Sequence, residues 1–344
     1  MSTTTALEIV LPGRVEPDGL LVTHRELPAP THGQALVRVA ATGVSFAEQQ
    51  MRRGKYFDQP PYPFVPGYDL VGTVEAVGPD TDPALIGTRV AALTKIGGWS
   101  SHVLLAVADL VPVPAGLDPV AAETFVVNGI TAWQMLHRRA GVRAGQTVLV
   151  HGANGGVGST LVQLARLAGA RVIGTASARN ADQVRALGAE PVDYRGDIVA
   201  QVRALAPGGV DAVFDHVGGP GIVDSFGLLA PGGTLVAYGT AATKDESGNS
   251  RLPVLLLIGR LLLWNALPNR RRTHFYNIWA GKRRLPRFRA RLAADLGAVL
   301  ALAARGELTA KIGARFPLSQ AAQALATAES HSVTGKVVLV ADPR

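Results

Sequence analysis

The residues with the most specific spacing are His151-Gly152-Ala153-Asn154-Gly155-Gly156-Val157-Gly158. Glycines so placed let a backbone approach a diphosphate closely, and a helix that follows offers free N–H groups and the positive end of its dipole. The strict G-x-G-x-x-G spacing is absent; glycines stand at 152, 155, 156 and 158. Context supplies the specificity. The loop follows an apolar run, 147–151 (TVLVH), and precedes an apolar helical stretch, 159–167, which is the strand–loop–helix order of a dinucleotide site. Gly152, Asn154, Gly155, Gly156, Val157 and Gly158 are therefore the expected contacts of a bound diphosphate.

The second strand, 171–175 (RVIGT), is followed by Ala176, Ser177, Ala178, Arg179 and Asn180. In NAD-binding sheets an Asp or Glu near this point accepts hydrogen bonds from the ribose hydroxyls. Here no carboxylate occupies the position. An anion would repel a 2′-phosphate, whereas Ser177 and Arg179 can bind one, so NADPH is expected. The alternative for Arg179 is an ordinary solvated side chain. His151 and Ser159 flank the loop and would suit a hydrolase, but there is no G-x-S-x-G elbow, and a serine at a helix N-terminus commonly caps it.

The elements that must position these residues are strands alternating with helices. Strands are expected at 147–151, 171–175, 191–194, 210–215 and 233–239, with helices at 159–167 and 181–187 between them. That order implies right-handed crossovers and a doubly wound parallel sheet. Before it the chain reads as β-rich, with valine-rich strands at 35–40, 70–77, 89–93 and 101–105. The period becomes helical over 119–139, read as two helices with Asn128-Gly129 between them. A helix near 287–304 and a strand at 335–340 (GKVVLV) close the chain. The expected division is 1–127, 128–280 and a return to the first domain over 281–344.

The 344 residues contain no cysteine, which removes disulfides, thiolate catalysis and every cysteine-ligated metal site. The eight histidines show no metal-ligand spacing, so no metal is expected. Residues 1–8 have neither a basic n-region nor an apolar h-region, and a cytoplasmic location is expected. The longest apolar stretch, 254–267 (VLLLIGRLLLWNAL), is interrupted by Arg260 and too short to span a bilayer. The net charge of +8 is unevenly placed: residues 251–291 hold eleven Lys or Arg and no Asp or Glu. This block is either a solvated face or a surface for an anionic membrane, a phosphate-bearing substrate or an acidic carrier. Nucleic acid is not expected, because the arginines lack interleaved aromatic platforms.

The segments ALVRVAATGVSFAEQQMRRGKY, PFVPGYDLVGTVEAVG, HGANGGVGSTLVQLARLAGARVIGT, VDAVFDHVGG and TGKVVLV together resemble the quinone oxidoreductase branch of the medium-chain dehydrogenase/reductase superfamily, over nearly the whole chain. The C-terminal third is similar to the vesicle amine transport protein-like subgroup. The resemblance implies an α/β fold made of a GroES-like β-rich domain and a Rossmann doubly wound parallel sheet, and a homodimer. It implies further that Tyr194 contacts the 2′-phosphate, that Asn128 and Thr131 lie beside the nicotinamide and its ribose, that Gly239 and Thr240 face that ring, and that Lys336 reaches toward the cofactor. Zinc-dependent members carry a G-H-E segment and a catalytic Cys; here Gly67-Tyr68-Asp69 and Ser45 stand in those places, and 90–99 has no room for the four-cysteine lobe. Tyr56 and Ser45 match substrate-facing positions, and Gln50 replaces a second tyrosine.

These readings imply hydride transfer from NADPH to a quinone or to the β-carbon of an α,β-unsaturated carbonyl, whose oxygen is polarised by hydrogen bonds. Two alternatives stay open. One is an enoyl reductase acting on a carrier- or CoA-linked acyl chain. The other is a membrane-peripheral or partner-binding protein that retains NADPH with little catalysis. The 254–267 insert has three readings: a lid over an apolar substrate, a dimer-packing helix, or an interfacial anchor.

Overall fold

The computed structural model describes residues 3–241, 251–330 and 332–343. Its contacts divide the chain into two compact units, Met1–Ile130 with Gly281–Arg344, and Thr131–Ala280.

The first unit is β-rich. β1 (Thr4–Val10) and β2 (Leu21–Leu27) form an antiparallel pair. β3 (Gln34–Val44) is followed by the short helix α1 (Phe46–Arg52), then β4 (Asp69–Val77), β5 (Arg89–Leu93), β6 (His102–Ala106) and β7 (Val111–Pro112). Helices α2 (Pro119–Thr124) and α3 (Val126–Trp133) come next, the latter continuing into a π-helical stretch at Gln134–Ala140. β3 and β4 are antiparallel neighbours rich in small and β-branched apolar residues, and Val37, Val39, Leu70 and Val74 on them form a core with Val90 of β5.

The second unit contains β8 (Thr147–Val150), α4 (Gly156–Leu167), β9 (Arg171–Ala176), α5 (Ala181–Ala186), β10 (Glu190–Asp193), α6 (Ile198–Leu205), β11 (Val210–Asp215), α7 (Ile222–Gly227), β12 (Leu229–Ala237), α8 (Arg251–Ala266) and β13 (Arg272–Phe275). Its six strands pair in the order β10-β9-β8-β11-β12-β13, and every pair is parallel. The order reverses between β8 and β11, which makes their carboxyl ends the switch point where a doubly wound sheet receives its ligand. The chain then returns to the first unit with α9 (Leu285–Ala304), β14 (Ile312–Pro317), α10 (Ala321–Glu329) and β15 (Lys336–Val340). β15 joins β3, so the first sheet runs β14-β15-β3-β4-β5-β7 with β6 also on β3.

The structure corrects two local expectations. Asn128-Gly129 does not separate two helices; it lies inside α3, and the break falls at Phe125. Gly129 serves packing there, since a Cβ on it would stand 2.7 Å from Val299 Cγ1 of α9. Ser159 does not cap α4. The N-cap is Gly155, and the Ser159 hydroxyl, one turn in, donates back to the Gly156 carbonyl at 3.2 Å.

The insert forms α8 and is apolar around its circumference. Leu257 and Leu261 are buried in the second unit's core, Val254 is buried on the same helix, and Trp264 stacks on Phe226. The opposite face presents Leu252, Leu255, Leu256, Leu262 and Leu263, each more than half exposed. No helix among the described residues is long and apolar enough to cross a membrane.

Candidate functional site

The glycine loop turns tightly at the end of β8. Gly152 has φ +64°, a left-handed conformation that favours glycine, and its carbonyl accepts from Gly155 N–H at 2.9 Å. Gly158 is fixed by contact: a Cβ there would lie 2.1 Å from the Gly152 carbonyl oxygen. The loop and the first turn of α4 therefore close on each other only because Gly158 lacks a side chain. No side chain caps α4, so the amides of its first turn remain for an anionic group. This is a cradle of the shape and polarity that a diphosphate requires.

A buried relay holds the loop. Gly152 N–H donates to Thr175 Oγ1 at 3.0 Å, and Thr175 Oγ1 lies 3.4 Å from His151 Nδ1. On the other side of the ring, His151 Nε2 meets Ser225 Oγ at 3.0 Å, and that hydroxyl donates to Asp215 Oδ2 at 2.6 Å. Asp215 Oδ1 accepts the amides of Val217 and Gly218 at 2.7 and 2.9 Å. The partners assign a neutral His151 with its proton on Nε2, and burial pushes its pKa down against the opposing pull of Asp215. His216 packs over Gly152, with a ring atom 2.5 Å from where a Cβ would be, and burial lowers its pKa as well. None of this relay was foreseen as such from the sequence. Its members come from the end of β8, from β9 and β11, and from α7, and only the packing of these separate segments brings them together.

Two of the three side chains expected around a 2′-phosphate, Ser177 and Tyr194, stand at neighbouring strand ends, because β9 and β10 pair with Asp193 opposite Ala176. Ser177 is buried and accepts from Asn180 Nδ2 at 3.1 Å, while Arg179 is exposed and Tyr194 is 51% exposed. Asp182, three residues after Arg179, pairs with Arg185 at 2.7 Å, and Asp193, beside Tyr194 in the chain, is engaged by the Arg195 amide at 3.0 Å. Gly239 and Thr240 follow β12, and a Cβ on Gly239 would lie 2.7 Å from the His216 carbonyl oxygen. Asn128 and Thr131 sit one helical turn apart on α3, each 8% exposed.

In the first unit, Ser45 is the N-cap of α1 in a reciprocal capping box with Glu48. Its hydroxyl is thereby committed to a carboxylate. Gln50 is buried on the same helix. Tyr56 behaves differently: its hydroxyl is 2.8 Å from that of Tyr68, and the rings meet edge to face. The sequence recorded Tyr68 only as a replacement for a histidine ligand; the structure shows it as the partner of Tyr56. Lys336, expected to reach the cofactor, has its ammonium between Asp69 and Glu123 at 2.8 and 2.5 Å. Among the described residues no group of His, Asp and Glu is arranged to hold a metal ion.

Comparison with known proteins agrees with both units. Residues 31–115 match the alcohol dehydrogenase GroES-like domain family, and residues 187–339 match the zinc-binding dehydrogenase family. The rat synaptic vesicle membrane protein VAT-1 homolog is 38% identical over 217 residues, which are 62% of this chain and 54% of that protein. The match thus spans only about half the length of that curated relative. A mycobacterial quinone oxidoreductase structure is 30% identical with a TM-score of 0.81, covering 97% of this chain and 99% of that one. A mycobacterial protein solved in complex with NADPH is 29% identical with a TM-score of 0.82, over 97% and 99%.

Proposed function

The chain belongs to the medium-chain dehydrogenase/reductase family of oxidoreductases, and on that premise we propose that it is an NADPH-dependent, zinc-independent reductase of quinones or α,β-unsaturated carbonyls. The observation that carries this reading is the strand-end arrangement: an uncapped glycine cradle at α4, Ser177 and Tyr194 at neighbouring strand ends, and a sequence from 177 to 181 that holds Arg179 and no carboxylate. NADPH, when bound, supplies a hydride at C4 of its nicotinamide. The chain supplies the rest. Loop amides hold the diphosphate, Arg179 and Ser177 neutralise and bind the 2′-phosphate, and Asn128 and Thr131 orient the ring end.

With no cysteine in the chain and a tyrosine in the histidine position, polarising the substrate oxygen falls to hydrogen-bond donors. Tyr56 is the side chain for that role. Ser45 spends its proton on Glu48, whereas Tyr56 can donate a hydrogen bond to a substrate oxygen while accepting one from Tyr68. Conjugated acceptors suit such a site because charge spreads over several atoms. Calorimetry with NADPH and NADH, followed by NADPH oxidation across quinones, enones and acyl thioesters, tests the proposal. Binding of neither cofactor would overturn it; turnover confined to acyl thioesters would move the substrate to a carrier- or CoA-linked enoyl chain.

A second reading rests on α8, whose outward leucines adjoin exposed Arg260, Arg270 and Arg272 in a segment without acidic residues. That combination fits peripheral contact with an anionic membrane. Vesicle co-sedimentation at low and high salt distinguishes it from a protein that never meets lipid.

A further inference from the structure

Three charged side chains meet inside the first unit. Asp69 opens β4, Glu123 lies in α2 and Lys336 opens β15, and none is more than 5% exposed. The Lys336 ammonium bridges Asp69 Oδ2 and Glu123 Oε1 at 2.8 and 2.5 Å. Asp69 Oδ2 also accepts the Val127 amide at 2.9 Å, at the start of the helix that carries Asn128. The remaining oxygen of each acid, Asp69 Oδ1 and Glu123 Oε2, is buried and meets no donor. The space is made by Gly43 of β3, where a Cβ would stand 2.1 Å from Lys336 Cε and 2.5 Å from Glu123 Oε1.

Two ionised carboxylates and one ammonium would leave a net negative charge without solvent and two acceptors without hydrogen. A single proton removes both faults. The two acid side chains are within hydrogen-bonding reach of each other, so a proton shared between them neutralises the cluster and supplies the missing hydrogen. Its home follows from the donors already present. Asp69 has two, the Val127 amide and Lys336, while Glu123 has Lys336 alone, so Glu123 is the weaker acid.

We propose that Glu123 is a neutral carboxylic acid in the folded protein, donating from Oε2 to Asp69 Oδ1, and that this acid–carboxylate pair clamped by Lys336 positions the start of α3. Burial raises the Glu123 pKa well above the usual carboxylate range, opposed by Lys336 and reinforced by Asp69. Burial also pushes the Lys336 ammonium toward deprotonation, but the charge of Asp69 and the hydrogen bonds accepted by Asp69 and Glu123 hold it charged. The other titratable group facing Asp69 is Glu48 of α1, itself buried, whose oxygens are taken by Ser45 and by the Tyr68 amide at 2.7 Å. Lys336 acts in this scheme as a structural counter-ion. The consequence for turnover, through Asn128, rests on the reductase reading; the protonation state does not.

Infrared spectroscopy of the full chain at neutral pH tests it. The expected result is a carbonyl band of a hydrogen-bonded carboxylic acid that shifts with 13C-labelled glutamate and is lost in Glu123→Gln. Glu123→Ala is expected to lower NADPH-dependent turnover about tenfold, and Glu123→Gln, which keeps a donor in the same place, to restore it to within twofold. No glutamate-sensitive acid band in the labelled wild type, or a band that follows labelled aspartate, overturns the assignment whether or not any variant folds. A band with the expected behaviour but equal turnover in wild type and Glu123→Ala overturns the positioning role. A chain that reduces nothing yet shows the band would sink the reductase reading and leave the protonated acid standing.

Discussion

On the proposed reading, removing the Arg179 guanidinium would leave Ser177 and Tyr194, at the ends of β9 and β10, as the remaining donors toward a 2′-phosphate. A hydrogen bond to a charged group contributes about 1.5–3 kcal/mol, so Arg179→Ala is expected to weaken NADPH about 10- to 150-fold and to leave NADH unchanged by calorimetry. Equal weakening of both cofactors would place Arg179 away from the phosphate. Tyr56→Phe keeps the edge-to-face contact with Tyr68 and removes the hydroxyl bonded at 2.8 Å. Turnover with enones should fall about 100-fold while NADPH affinity holds, and Tyr68→Phe should cause a smaller loss because it acts through Tyr56. Unchanged turnover in Tyr56→Phe would take the phenol pair out of the mechanism. Arg179 was legible in the sequence because its meaning is local, a cation where a carboxylate is otherwise expected. Tyr68 was not, because its partner is set by how the segment after α1 meets the start of β4.

The strand–loop–helix at β8 and α4 is the element most fully readable beforehand, since its signal is contained in consecutive residues. Gly158→Ala is its sharpest test: a Cβ 2.1 Å from the Gly152 carbonyl forces the loop open, with an expected loss of about 1–3 kcal/mol, several degrees in melting temperature, and no NADPH binding. Normal binding by that variant would mean that the cradle is not the diphosphate site. What lies behind the loop was hidden, because Thr175, Ser225 and Asp215 come from three later segments. The relay also makes stability depend on pH. His151 and His216 have folded-state pKa values lowered from 6.5 by burial, so between those values and 6.5 the unfolded chain binds more protons than the folded one. Their neutral state thus favours folding fully above pH 6.5 and progressively less as the pH falls. The expected slope is at most about 1.4 kcal/mol per pH unit for each histidine, and His151→Gln should flatten it in acid denaturation curves. An unchanged slope would mean that His151 is already charged in the fold. The Asn128-Gly129 break failed for the opposite reason: glycine was read as punctuation, while Val299 requires its small size inside α3.

At the scale of the whole chain, charge and apolar surface are distributed unequally, and α8 is where the two coincide. The positive block is not all available to a partner. Arg271 stacks on Phe226 and donates to its carbonyl at 3.1 Å, and Arg289 makes a bidentate pair with Asp109 at 2.7 and 2.8 Å. Arg260, Arg270 and Arg272 remain exposed in the same unit as the outward leucines. A self-complementary contact through this face would set the same cations against their own copies, whereas an anionic bilayer attracts them at about 1 kcal/mol each and accepts the leucines. Leu256 and Leu263 are 65% and 59% exposed, so replacing both with serine should leave the core and NADPH binding intact. Each leucine contributes about 1.5 kcal/mol when half inserted, so the double variant should bind anionic vesicles roughly 100-fold more weakly, with the residual binding lost at high salt. If the variant instead turns a dimer into a monomer in light scattering while vesicle binding is absent in both forms, the leucine face belongs to a second copy of the chain and the membrane reading fails.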